Sequence, residues 1–200
     1  MNAQPLFAQL REALRRREPK TLGALPPGVI RASVLVPFFE KDGEPYLLFL
    51  KRPDGDYRHA GQIAFPGGKR DGDESALDCA LREAQEEVGL APSDVEVIGT
   101  LDEYDTVVTG FRITPFVGLV PYPYEFRPAP REVERLIEVP LRALLDPAVH
   151  HTERREAFGQ VLTVHYYSVG NDLIWGVTGG MLTPLLEIVR GLPEAAARQG

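Results

Sequence analysis

Between Gly68 and Leu90 the chain runs GKRDGDESALDCALREAQEEVGL, and no other stretch constrains the fold as tightly. From 74 to 88 there is neither Gly nor Pro, and Ala, Leu, Glu and Gln dominate, so the composition predicts a helix of about four turns. At about 100° per residue, Leu77, Ala80, Leu81, Ala84 and Val88 share a stripe for packing, while Glu83, Glu86 and Glu87 share a neighbouring face. Gly89 supplies the left-handed residue that ends such a helix, and Pro92 stops its early resumption. Just upstream, Ala64-Phe65-Pro66-Gly67-Gly68 joins a fixed φ to glycines that let backbone approach a ligand or ion, which predicts a site loop.

Carboxylates at i, i+3 and i+4 repel one another, each like pair costing a helix a few tenths of a kcal/mol. A hard divalent cation offsets that repulsion. Magnesium takes oxygen ligands, commonly one or two carboxylates together with phosphate oxygens and water, so the cluster suits a metal-bound diphosphate. A solvated acidic face is the ordinary reading of glutamates alone, and the glycine frame argues against it here.

Gly68, Glu74 and the run Arg82-Glu83-Ala84-Gln85-Glu86-Glu87-Val88-Gly89-Leu90 resemble the Nudix box of the Nudix hydrolases, with Ala84 standing where that box prefers a bulkier aliphatic residue. The resemblance implies a metal-dependent diphosphate hydrolase. It makes Gly68, through its backbone carbonyl, a metal ligand beside Glu83, Glu86 and Glu87, with magnesium the expected ion and manganese the alternative. It also makes Arg82 an ion-pair partner that orients a glutamate, where a surface i,i+4 pair with Glu86 or Asp78 is the plainer reading. Glu74 is expected to brace the loop. The general base comes from the box or a later loop, with Glu86 the first choice and Glu103 the second.

Two hundred residues, 44% of them hydrophobic and 26% charged, fit one globular domain. A net charge of −7 argues against broad attraction to nucleic acid. Cys79 is the single cysteine, so no intramolecular disulfide can form, and its expected role is that of a small buried hydrophobe. No apolar run approaches membrane-spanning length, and the expectation is a soluble cytoplasmic protein, monomer or homodimer, without a membrane partner.

Leu6, Phe7, Leu10 and Leu14 recur at helical spacing before Arg15-Arg16-Arg17, which predicts a docked amphipathic helix, since a secretory signal would place its positive charge first. Residues 21–28 read as a linker, so we expect a helix and linker over 1–28, the main domain over 29–190 and a tail over 191–200. Strands are expected at 30–39 and 45–51, paired across a tight turn at 41–44, and again at 95–104 and 111–120. The connection at 105–110 is placed where it could reach over the site. A proline-rich loop at 121–130, a Glu-rich turn holding Glu132, Glu134 and Glu138, and a short helix begun by Pro140 follow. Strands at 152–158, 161–169 and 172–177 and a closing helix at 178–189 complete the pattern. Strands in runs with a few separate helices point to an α+β fold, an α/β/α sandwich around a mixed sheet, which matches what the Nudix resemblance implies.

The box defines a mechanism and not a substrate. LFLKR at 48–52, RHAGQIAFPGG at 58–68, TGFRITPFVG at 109–118 and IWGVTGGML at 174–182 are similar to segments of the coenzyme A pyrophosphatase branch of the family, although Tyr57 stands where that branch has an Arg and Arg58 follows it. That likeness implies hydrolysis of coenzyme A to 3′,5′-ADP and 4′-phosphopantetheine by water attack at phosphorus, assisted by two or three magnesium ions. Arg52, Arg58, Lys69 and Arg70 are then the candidates for the 3′-phosphate. ADP-ribose, NADH or dinucleoside polyphosphates are the alternative substrates, and a nucleotide-binding domain without catalysis is the remaining alternative. His59 is read as structural or a substrate contact, and His150, His151 and His165 as surface or core residues.

Overall fold

The computed structural model describes residues 1–55, 60–106, 110–157 and 159–196. Strand β1 (Ile30–Lys41) is its axis. A run of eight consecutive buried residues in it, rather than alternation, marks a strand covered on both faces. Asp42 and Gly43, both with positive φ, turn the chain into β2 (Glu44–Lys51), antiparallel to β1. On its other side β1 runs parallel to β7 (Phe111–Leu119) over its whole paired length, and β4 (Gly67–Lys69) lies antiparallel to its start, with Ser33 opposite Gly68. Strands β3 (Ile63–Ala64) and β8 (Arg135–Pro140) flank β2, and β5 (Glu96–Thr100) and β6 (Tyr104–Thr106) flank β7.

Helices cover both faces, giving the mixed α/β/α sandwich. Helix α2 (Ala76–Val88) sets Ala80, Ala84 and Val88 against Leu35, Phe39, Leu48 and Leu50. On the opposite face α1 (Ala3–Arg16) and α4 (Gly176–Arg190) bring Leu6, Leu10, Leu182 and Leu185 against Val36, Phe38, Leu47 and Phe49. Burying a side chain of this size contributes about 1.5–3 kcal/mol, so the two clusters dominate the stability of the sheet. Asn2 caps α1 by accepting from the Gln4 N–H. After α3 (Leu141–Leu145), a separate antiparallel sheet is built from β9 (His150–Ala157), β10 (Gln160–Val169) and β11 (Asp172–Trp175). Residues 192–195 return to α1, where Leu192 and Ala195 are buried, with α5 (Pro193–Ala196) ending the described chain.

Several expectations are corrected. The single strand expected at 95–104 is two short strands, because the chain leaves the ladder at 102–103, just after the Leu101 N–H donates to the Pro115 carbonyl, and rejoins β7 one register further on. Asp105 and Thr106 belong to β6 rather than to a free connection, while 107–109 lie outside the described residues. The Glu-rich turn is in its second half a strand: Ile137 and Val139 alternate with Leu136, Glu138 and Pro140, a period-2 pattern hidden by the surrounding charges. Pro140 ends that strand and caps α3. The last strand, expected at 172–177, ends at Trp175, and the closing helix begins at Gly176 rather than 178. Among the described residues no helix is long and apolar enough to cross a membrane.

Candidate active site

The loop before α2 is held by small residues and backbone bonds. The Leu35 N–H donates to the Pro66 carbonyl at 2.8 Å and the Arg70 N–H to the Arg31 carbonyl at 2.9 Å, so the loop is fixed to the central strand at both ends. A Cβ on Gly67 would stand 2.4 Å from the Ser33 carbonyl oxygen, and one on Gly68 would stand 2.5 Å from the Glu83 carboxylate. Only glycine permits the first approach, and a side chain at 68 would displace the Glu83 carboxylate. Helix α2 starts two residues later than the composition predicts, because the Ser75 hydroxyl accepts from the Asp78 N–H and caps it. It ends at Gly89, φ 71°, in the left-handed region.

Arg82 is the hub of this end of the molecule. Its guanidinium donates to Glu74 Oε1 at 2.8 Å and to Glu86 Oε2 at 3.0 Å, pairs with Glu83 Oε1 at 2.9 Å, and reaches the Lys69 carbonyl at 3.2 Å. Glu74 also accepts from the Asp71 N–H at 2.7 Å, which ties the loop to the helix. Arg82, followed by that backbone bond, holds the Glu74 carboxyl down at about 2.

Glu87 is the surprise of the helix. The stripe argument set it beside Glu83 and Glu86 on a face next to the packing stripe, yet it is 1% exposed, whereas Glu86 is 58% exposed. Its Oε1 accepts from Arg52 at 2.9 Å and its Oε2 from the Gly67 N–H at 2.8 Å. Burial pushes the Glu87 carboxyl up to about 7 against the pull of Arg52 and Gly67, and burial likewise raises Glu83 against the pull of Arg82. Arg82 and Arg52 therefore offset part of the repulsion for which a cation was expected, while neighbouring carboxylates still raise Glu83 and Glu87.

The remaining candidates divide. Lys69 is exposed and lines a cavity of about 260 Å³ together with Arg52, Phe65, Phe111, Val177 and Met181. Arg70 turns away from that cavity, its guanidinium donating to the Glu74 carbonyl. Glu103 accepts from the Leu22 N–H at 2.7 Å and donates its own N–H to the Lys20 carbonyl, so its bonds go to the linker and not to the box. Arg58 and His59 lie outside the described residues. Cys79 is fully buried, its Sγ 3.6 Å from the Gly68 carbonyl oxygen, and burial raises the thiol to about 11. Residues 127–133 dock on the end of α2, with the Ala129 N–H on the Glu87 carbonyl at 2.8 Å. That docking places Glu132 where its charge raises both Glu83 and Glu87, a neighbour that the Glu-rich run hinted at without showing its direction. His150 and His165 meet at 3.0 Å in the second sheet, away from the box.

Among the described residues no three His, Cys, Asp or Glu side chains converge as a metal cage, because each box glutamate is turned to a guanidinium or an N–H. The donor set nonetheless fits a hard divalent cation: it is all oxygen, it includes carboxylates withdrawn from water, and the bare Gly68 backbone lies against Glu83.

The metal-free protein has a sign-defined pH dependence. Between the ordinary 4.5 and about 7 the folded state keeps a proton on Glu87 that the unfolded chain has lost, so stability falls as pH rises through that window. Glu74 acts oppositely: its contribution is present above 4.5 and lost as pH falls toward about 2. In urea unfolding in chelator, Glu87 should therefore contribute a loss of about 2–3 kcal/mol between pH 5 and pH 8, partly opposed by His150 and His165, whose burial lowers them, and Glu87→Gln should remove that contribution. A Glu87→Gln variant whose stability changes with pH as the parent's does would overturn the assignment.

A mixed sheet between helices, with an acidic loop and helix at one end of its central strand, defines the Nudix class of domain. The NUDIX domain model matches residues 29–161. The uncharacterized Nudix hydrolase NudL of Yersinia pestis (strain Pestoides F) is 40% identical over 162 residues, covering 80% of this chain and 79% of that protein. The chain belongs to the Nudix family and is a Nudix hydrolase, a class that generally uses divalent metal ions. In fold it is similar to the NUDIX domain of Shewanella oneidensis NrtR complexed with ADP ribose (TM-score 0.51, 18% identity, 90% of this chain and 95% of that one). It is also similar to a MutT/nudix family protein from Enterococcus faecalis (TM-score 0.53, 15% identity, 99% of this chain and 75% of that one).

Proposed function

We propose that this chain hydrolyses the diphosphate bond of coenzyme A, giving 3′,5′-ADP and 4′-phosphopantetheine. The observation that carries the reading is convergence. Arg52, then Phe65, Gly67 and Gly68, then Phe111 and Ile113, and finally Val177, Thr178 and Met181 come from the separate segments that resemble the coenzyme A branch, and these residues line one cavity beside the box glutamates. A largely apolar cavity with Arg52 and Lys69 at its edge suits a substrate that joins phosphates to a long uncharged arm.

Glu83, Glu86 and Glu87 with the Gly68 carbonyl would hold the cation. When bound, it would supply charge neutralisation for the phosphoryl oxygens and a more acidic water, with magnesium the expected ion. Arg82 orients Glu83 and Glu86, and Glu74 braces Arg82 from the loop side. Glu86, exposed and paired only at one oxygen, is the proton acceptor for the attacking water, with Glu132 as the nearby carboxylate that can replace it. Lys69 meets the 3′-phosphate.

Mass spectrometry of products from a mixture of coenzyme A, ADP-ribose, NADH and diadenosine polyphosphates tests the reading. The expected result is preferential appearance of 4′-phosphopantetheine and 3′,5′-ADP. Preferential cleavage of ADP-ribose, NADH or a diadenosine polyphosphate would replace coenzyme A as the substrate. No cleavage of any of them at saturating magnesium or manganese would overturn the assignment.

A further inference from the structure

Arg52 faces two ways. It lines the cavity, and it donates to Glu87 Oε1 at 2.9 Å. Both Glu87 oxygens are thus engaged, since Oε2 accepts from the Gly67 N–H. A carboxylate so deeply buried depends on the positive partner beside it, because water cannot take that partner's place. A divalent ion arriving at Glu87 would stand close to the guanidinium, and two cations at that separation repel strongly inside a protein. Arg52, unlike Glu87, has somewhere to go: its side chain is 25% exposed and borders the cavity. Arg82 is differently placed. It is shared among Glu74, Glu83, Glu86 and the Lys69 carbonyl, so losing one partner leaves it anchored by the others.

We infer that Arg52 exchanges partners, holding Glu87 before a divalent cation binds, leaving it when the cation takes that carboxylate, and then pairing with the substrate diphosphate in the cavity. The inference rests on the proposal that the box glutamates hold a cation. Its consequence is order. Substrate diphosphate gains this arginine only after the metal is in place.

Arginine labelling by phenylglyoxal, read by peptide mass spectrometry, follows Arg52 directly. Arg112, forked onto Asp105 with both contacts at 2.8 Å, serves as the internal reference. Labelling of Arg52 relative to Arg112 should rise several-fold on adding saturating magnesium and fall again when imidodiphosphate, a non-hydrolysable diphosphate, joins the magnesium. In calorimetry at saturating magnesium, Arg52→Gln should bind imidodiphosphate about 10-fold or more weakly than the parent, and Arg52→Lys should recover part of that loss.

Arg52 labelling that is unchanged or lowered by magnesium, in a protein whose melting temperature shows that the ion has bound, overturns the exchange alone. So does undiminished binding of imidodiphosphate by Arg52→Gln. If magnesium does not bind at all, the cation reading falls and the exchange falls with it. Failure of coenzyme A as substrate leaves these measurements intact, because imidodiphosphate carries only the shared diphosphate chemistry.

Discussion

Glu83→Gln is expected to lower turnover by several orders of magnitude, about 10³-fold, while leaving the melting temperature of the metal-free protein within a few degrees of the parent. The swap keeps the shape of the side chain and removes one negative oxygen from a cluster whose proposed work is to hold a cation. Glu87→Gln should lose as much activity, with a larger effect on the fold. One of its two oxygens becomes an NH₂ that must face either Arg52 or the Gly67 N–H, both of which are donors. Glu74→Gln is the contrast. That carboxylate is committed to Arg82 and the Asp71 N–H, so its loss should disturb stability more than the chemical step. Near-normal activity of both Glu83→Gln and Glu87→Gln at saturating magnesium would remove the cation from these residues.

Dephospho-coenzyme A should be cleaved roughly 10- to 150-fold less efficiently than coenzyme A in kcat/KM, the cost of one lost charge-assisted contact. Lys69 carries this prediction, since it is exposed at the cavity while Arg70 is bound to the Glu74 carbonyl. Lys69→Ala should therefore lower kcat/KM for coenzyme A toward that for dephospho-coenzyme A and leave the latter nearly unchanged. Equal cleavage of the two substrates by the parent would exclude a 3′-phosphate site here without touching the diphosphate chemistry.

The box helix was legible because its signals are local: residue propensities, a glycine stop and a glycine loop act within a few positions of one another. The β1 and β2 pair was legible for the same reason, with Asp42 and Gly43 in the turn. Strand β8 was not. Its order comes from pairing with β2, some ninety positions away in sequence, and Glu132, Glu134 and Glu138 concealed its apolar alternation. Glu87 shows the same limit within the site. A helical wheel assigns a face but cannot know that the Gly67 N–H and Arg52 will close over one carboxylate and make its burial tolerable. The partners of Arg70 and Glu103 were equally long-range or conformational, so charge alone placed them nearer to substrate chemistry than the fold does.

Strand β1 is paired on both sides at Ala32 to Val34, by β4 and by β7, so the floor of the cavity and the loop carrying Gly67 and Gly68 are part of the most constrained segment of the sheet. Motion there would break two ladders at once. The opposite wall is α4, whose Gly179 and Gly180 allow it to sit directly against the His165 carbonyl and the Tyr104 hydroxyl, where a single added Cβ would stand 2.5 Å and 2.3 Å away. A side chain at either glycine would push α4 away from its neighbours and widen the cavity on that wall, while the phosphate end, held by two ladders, would keep its shape.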